Sequence, residues 1–190
     1  GHGVPGAFMS IVGDRLLNEI LFERKITQPV DMMVYLHQKL KSTLNQNETD
    51  NNDGMDLSLC SIESLNDSKL KISFTGAKRP LVYFDSHKNI LKVMRGDRKP
   101  VGGMYHDEIH FTQKELILEK GDVIYLYSDG ITDQVSPGGK KLGTRRFIKL
   151  LQQNAHLSLM QQKDQLISAL NNHQQREEQM DDITVVGIKL

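Results

Sequence analysis

The spacing of apolar residues changes twice along this chain, and that restricts the fold more than any other feature. Over residues 7–23, Met9, Val12, Leu16 and Ile20 recur every three or four positions, which predicts an amphipathic helix. Thr27, Pro29 and Asp31 mark the start of a second helix, with Met33, Leu36, Leu40 and Leu44 along one face. Residues 45–54 are polar and rich in turn formers, so they read as a connection. The period then shortens. Leu57 and Leu59, then Leu70, Ile72 and Phe74, alternate with small or polar residues as half-buried strands do. Further strands are expected at residues 81–84, 90–94, 109–118 and 123–127, separated by turns at Gly76, Gly96, Gly102-Gly103 and Gly121-Asp122. Connections this short imply mostly antiparallel pairing. Two helices return, one with Phe147, Leu150 and Leu151, the other with Met160, Leu166, Ile167 and Leu170, and residues 183–190 close the chain as a strand. The order predicts an α+β fold, an antiparallel sheet structure sandwiched by helices.

Composition narrows the chemistry. A chain of 190 residues with 38% apolar content supports one core, and one domain over residues 1–190 is the default. Lysine plus arginine and aspartate plus glutamate both total 24, so no net field draws the molecule to nucleic acid or an anionic membrane. Cys60 is the only cysteine, which excludes an intrachain disulfide and a cysteine-based zinc cluster and fits a reducing, cytoplasmic setting. No run approaches the roughly 18 apolar residues of a spanning helix, so no membrane contact is expected of this segment. The start, Gly-His-Gly without methionine, reads as the interior of something longer, with a tag remnant as the alternative.

Two motifs fail on context. Gly1, Gly3 and Gly6 have the Gly-x-Gly-x-x-Gly spacing, yet no strand precedes them and no parallel βαβ unit follows, so what remains is a glycine-rich helix entry able to offer N–H groups to an anion. His106-Asp-Glu-Ile-His110 has its glutamate one position too late for the zinc-protease helix and leads into an alternating segment. More informative is Tyr125-Leu-Tyr-Ser-Asp-Gly-Ile-Thr-Asp133, where an apolar strand delivers Asp129 at its end. Met180-Asp-Asp-Ile-Thr-Val-Val-Gly-Ile188 sets Asp181 and Asp182 just before another apolar strand. Each alone reads as a turn. Together they place carboxylates where hard divalent cations, which prefer oxygen donors, could be held.

Gly1-His-Gly-Val-Pro-Gly-Ala-Phe-Met-Ser10, Asp53-Gly-Met-Asp-Leu57, Ser128-Asp-Gly-Ile-Thr-Asp133 and Asp181-Asp-Ile-Thr-Val185 resemble, in order, successive motifs of the stage II sporulation protein E-type serine/threonine phosphatases of the protein phosphatase 2C-like superfamily. The resemblance covers nearly the whole chain. It implies an antiparallel β-sandwich flanked by helices, here the C-terminal greater part of the domain, without its N-terminal strands. It also implies that Asp129 and Asp181 are catalytic and bind a pair of Mn²⁺ or Mg²⁺ ions, that Asp133 binds a further metal or orients a water, and that Asp182 either supports the metal ligands without touching the ions or is structural. Thr75-Gly-Ala-Lys-Arg79 stands where many eukaryotic relatives carry another acidic ligand, which Ala77 cannot replace. Asp53 and Asp56 lie in a family motif, but their spacing assigns them no task.

The activity so implied is hydrolysis of phosphoserine or phosphothreonine in a bacterial signalling protein through a metal-activated water. Cys60 lacks a Cys-x5-Arg context and no serine stands in a nucleophile elbow, in keeping with a reaction that needs no protein nucleophile. Implied partners are a phosphorylated protein substrate such as an anti-sigma-factor antagonist, and an upstream sensor or receiver domain. The aspartate that family members carry before Gly-His-Gly lies outside the chain, so the 190-residue chain is expected to be weak or inactive by itself and its uncovered sheet edge points to a homodimer. The competing reading is a catalytically inactive phosphatase-like module that binds a partner or dimerises.

Overall fold

The computed structural model describes residues 3–103 and 110–190. These form two compact units, one of residues 3–80, 95–103 and 110–117, the other of residues 81–94 and 118–190.

The first unit opens with helix α1 (Gly3–Asn18), which runs into a π-helical turn at Glu19–Glu23. The apolar stripe read from the sequence is its inner face, with Leu16 and Ile20 buried. Helix α2 (Pro29–Thr43) starts with proline in the first turn, where a missing N–H costs nothing, and Gln28 rather than Thr27 is its cap residue. Met33, Leu36 and Leu40 are fully buried against that stripe. Two-residue strands β1 (Gly54–Met55) and β6 (Val101–Gly102), too short to show an alternation, pair antiparallel. Strands β2 (Leu57–Ser64) and β3 (Lys69–Ala77) form a long antiparallel hairpin in register Leu57↔Ala77, and β7 (Lys114–Glu119) lies on the other side of β3. The strand expected over residues 109–118 thus begins only at Lys114, because Thr112 turns its N–H and hydroxyl onto the Asp97 carboxylate instead.

The second unit holds a four-stranded antiparallel sheet, β4 (Leu81–Asp85), β5 (Ile90–Met94), β8 (Val123–Tyr127) and β9 (Val185–Lys189), in the order β5-β4-β8-β9. Period-2 residues Val82 and Phe84 of β4 and Val123, Tyr125 and Tyr127 of β8 share one core. Helix α4 (Thr144–Asn154) adds Phe147 and Leu151, with the Phe147 ring 4.7 Å from that of Tyr127. Truncating a buried phenylalanine such as Phe147 to alanine costs about 3–5 kcal/mol. Helix α5 (Leu159–Gln174) is started by a capping box in which Ser158 and Gln161 exchange side-chain and backbone hydrogen bonds, and Leu159, Leu166 and Leu170 face the same core. A one-turn helix α3 (Gly130–Asp133) follows β8 directly. No helix among the described residues is long and apolar enough to cross a membrane.

Candidate functional site

The candidate site grows out of the pairing of β8 and β9. Their register ends at Tyr127↔Val185, but the chains stay joined one step further. Ser128 N–H donates to the Thr184 carbonyl, the Ser128 hydroxyl donates to the Asp182 carbonyl, and Thr184 N–H donates to the Ser128 hydroxyl, each at 3.0 Å. One serine therefore stitches the end of the first aspartate motif to the start of the second. Asp129 then enters α3 with helical dihedrals (φ −71°, ψ −19°) and makes no side-chain cap to it, while its carbonyl accepts from Asp133 N–H at 2.8 Å and from the Thr132 hydroxyl at 2.9 Å. Gly130 is required by close approach. A Cβ there would stand 2.3 Å from the Asp182 carbonyl oxygen.

On the other side, the Asp181 carboxylate accepts from Asp182 N–H at 2.8 Å and the Asp181 carbonyl accepts from the Gln179 side chain at 2.9 Å. The motifs of Asp129 and Asp181 thus occupy neighbouring strand ends. Asp133, at the far end of α3, forms an exposed ion pair with Lys141 at 2.8 Å. Asp182 contributes its backbone carbonyl, which accepts from the Ser128 hydroxyl.

Gln134, His173 and Glu178 escape the sequence motifs. Gln134 is fully buried and its amide spans to Glu178 and Met180, and its carbonyl accepts from His173 Nε2–H at 3.1 Å. No periodicity marks them, because a buried glutamine is recognisable only once partners 44 and 46 residues away are in place. Behind the motifs, a cavity of about 330 Å³ lies between α5 and the sheet, lined by Ile131, Ile183, Val185, Leu166 and Leu170. At its edge the buried Tyr125 hydroxyl donates to Gln162 at 2.8 Å, and desolvation pushes its pKa up to about 12.

In the first unit, Asp56 is paired with Lys78 at 3.3 Å and Arg79 at 3.1 Å. The Asp53 N–H donates to the Asn51 side chain and its carbonyl accepts from Gln46. Ala77 is wholly buried at the end of β3. Gly1 and His2 of the glycine motif and most of the His106–His110 stretch lie outside the described residues.

Among the described residues, no group of three or more His, Cys, Asp or Glu could hold a metal ion. The donors at the strand ends nevertheless fit magnesium or manganese in kind. They are carboxylates and carbonyls, and Mg²⁺ is commonly held by one or two carboxylates with waters filling its remaining positions.

Comparison with known proteins bears directly on this geometry. The structure resembles the SiaA-PP2C domain of Pseudomonas aeruginosa with a TM-score of 0.81 at 25% identity, over 100% of this chain and 72% of that one. It resembles the PP2C phosphatase domain, with a fragment of the regulatory domain, of the cell fate determinant SpoIIE from Bacillus subtilis with a TM-score of 0.68 at 20% identity, over 100% of this chain and 52% of that one. PppA, a regulatory component of T6SS in Pseudomonas aeruginosa, aligns with a TM-score of 0.61 at 14% identity, over 100% of this chain and 83% of that one. No curated protein matches in sequence. The mixed α+β architecture with antiparallel sheets and helices is that of PP2C-like phosphatase domains. The family model for stage II sporulation protein E matches residues 1–190, so the chain belongs to the stage II sporulation protein E family as a PP2C-like phosphatase domain.

Proposed function

We infer that the chain is a metal-dependent protein serine/threonine phosphatase, with residues 1–190 acting as one phosphatase domain. The observation that carries this reading is the Ser128 stitch, which sets the Asp129 turn beside the Asp181–Asp182 bend. Asp129 and Asp181 would hold Mn²⁺ or Mg²⁺, with Asp133 available to a further ion once it leaves Lys141. When bound, such cations lower the pKa of water and offset charge on a phosphoryl group. The chain's own residues then supply the carboxylates, their spacing and a rigid sheet behind them. Cys60 is not a competing nucleophile. Burial raises its thiol pKa, so little thiolate forms. The substrate is a phosphoserine or phosphothreonine protein, an anti-sigma-factor antagonist being one of that class, in a cytoplasmic signalling pathway with a sensor or receiver domain upstream.

A second reading, an inactive phosphatase-like binding module, draws on the Asp133–Lys141 pair and on the lack of a three-ligand group among the described residues. One experiment separates the two. Hydrolysis of a phosphoserine peptide by the full-length protein carrying this chain is followed with and without millimolar Mn²⁺, beside Asp129→Asn. The phosphatase reading expects Mn²⁺-dependent turnover, reduced at least about 100-fold by Asp129→Asn with an unchanged circular dichroism spectrum. Absence of turnover in the parent supports the binding module instead, whereas full turnover in the folded variant would remove Asp129 from the metal site.

A further inference from the structure

The segment that carries Asp181 belongs to no regular element. Between the end of α5 at Gln174 and the start of β9 at Val185, part of its hydrogen bonding is local, such as Glu177 N–H to the Gln174 carbonyl and the Gln179 side chain to the Asp181 carbonyl. Among the described residues, two anchors from elsewhere in the chain hold it. Ser128 grips it after Asp181, at Asp182 and Thr184. Gln134 grips it before Asp181: the side-chain Nε2 donates to the Glu178 carbonyl at 2.9 Å and Oε1 accepts from Met180 N–H at 3.1 Å.

These anchors flank the first aspartate motif, one residue before Asp129 and one after Asp133. Gln134 is itself fixed from three sides. Its N–H donates to the Gly130 carbonyl at 3.0 Å, and its carbonyl accepts from Leu142 N–H at 2.9 Å and His173 Nε2–H at 3.1 Å. A side chain with no exposed surface, with both ends of its amide bonded to backbone 44 and 46 residues away, transmits the position of α3 to the Asp181 segment.

We propose that Gln134 is a positioning residue that sets where Asp181 stands relative to Asp129, and so tunes the affinity of the site for its divalent cation. This rests on the phosphatase reading above. Groups that orient metal ligands without touching the metal commonly change metal affinity by about 10–100-fold when removed. Serine, threonine or leucine at position 134 could not bridge the same two backbone groups, and a water in place of the amide would not be tied to α3.

The test is Gln134→Met, which keeps volume and removes the side-chain hydrogen bonds to Glu178 and Met180 together with the longer one to the Val135 carbonyl, in the full-length protein. Three readouts are compared with wild type: Mn²⁺ binding by loss of the free-ion electron paramagnetic resonance signal, the Mn²⁺ dependence of phosphopeptide hydrolysis, and amide hydrogen exchange. The expected result is a rise of about tenfold or more in the Mn²⁺ concentration for half-saturation, kcat restored to within about threefold at saturating Mn²⁺, and faster exchange confined to residues 176–184. Faster exchange with unchanged Mn²⁺ binding would make Gln134 purely structural and overturn the proposal. So would unchanged exchange. A wild-type protein that binds Mn²⁺ but hydrolyses nothing would sink the phosphatase reading while the binding and exchange arms still judge Gln134. One that binds no Mn²⁺ would sink both. Should Gln134→Met not fold, Gln134→Leu also removes the side-chain hydrogen bonds without burying a charge and is expected to shift the same three readouts in the same direction.

Discussion

Each unit of the chain holds an irregular segment with buried polar side chains, and the two do so with different chemistry. In the first unit, His37 Nδ1 accepts from Gly102 N–H at 3.0 Å, and the Gln46 side chain accepts from Gly103 N–H at 2.9 Å while donating to the Asp53 carbonyl at 2.6 Å. In the second, Gln134 and Ser128 hold residues 178–184. The first clamp contains a titratable ring and the second only an amide and a hydroxyl. The side chains that grip the segment carrying the candidate metal ligand are therefore uncharged, with the His173 ring one bond further back on the Gln134 carbonyl. The first clamp is expected to weaken in acid.

The largest expected effect that can break this comparison comes from the close backbone approach between the two aspartate motifs. Gly130→Ala would drive a Cβ to 2.3 Å from the Asp182 carbonyl, so either α3 or the Asp181–Asp182 bend must move. Overpacking of this kind costs about 1–3 kcal/mol. A drop in thermal midpoint of several degrees and loss of nearly all Mn²⁺-dependent activity are expected, and a variant with normal activity would show that the spacing of the two motifs is not critical.

Next in size is the acid response of the first clamp. Desolvation first, then the nearby charges of Lys41 and Lys99, lower the His37 pKa to about 4 from 6.5. Because the folded-state pKa lies below the unfolded one, the full contribution is present above pH 6.5 and is lost as pH falls from 6.5 toward about 4, where the unfolded chain binds the proton more readily. The loss is at most about 3 kcal/mol. Urea denaturation at pH 7 and pH 4.5 measures it, and His37→Asn, which keeps an acceptor without a titrating ring, is expected to flatten that part of the difference. An equal pH response in wild type and variant would place acid sensitivity elsewhere.

The smallest effect sharpens the second unit. The Asp133–Lys141 pair is exposed on both sides, so Lys141→Met is expected to change stability by less than about 1 kcal/mol. If Asp133 serves a cation, freeing its carboxylate lowers the Mn²⁺ concentration for half-maximal activity. No change would remove Asp133 from the set of ligands.

The elements were legible where period was legible. Met33, Leu36 and Leu40 announced the buried face of α2, and the alternation of Ile72 and Phe74 announced β3, because each pattern reports one face meeting one core. The π-helical turn at Glu19–Glu23 and the two-residue strands β1 and β6 were not legible. The first keeps a helical apolar spacing, and the others are too short to alternate. Of the site, the aspartates stood out because apolar strands run up to them. The supports did not. Ser128 and Gln134 act through partners 44 to 56 residues away, and Asp56 finds Lys78 and Arg79 only after the β2–β3 hairpin closes. Polar side chains that bond to distant backbone leave no periodic trace, so sequence reveals the ligands of such a site before the groups that place them.

The central claim is that Asp129 and Asp181 serve one cation site. Anomalous scattering from a crystal of the protein grown with Mn²⁺ tests it most directly. The account predicts a manganese peak at roughly 2.2 Å from a carboxylate oxygen of each residue, close to the octahedral Mg²⁺–O distance. Carboxylates of Asp129 and Asp181 more than about 10 Å apart, or manganese bound away from both, would contradict it.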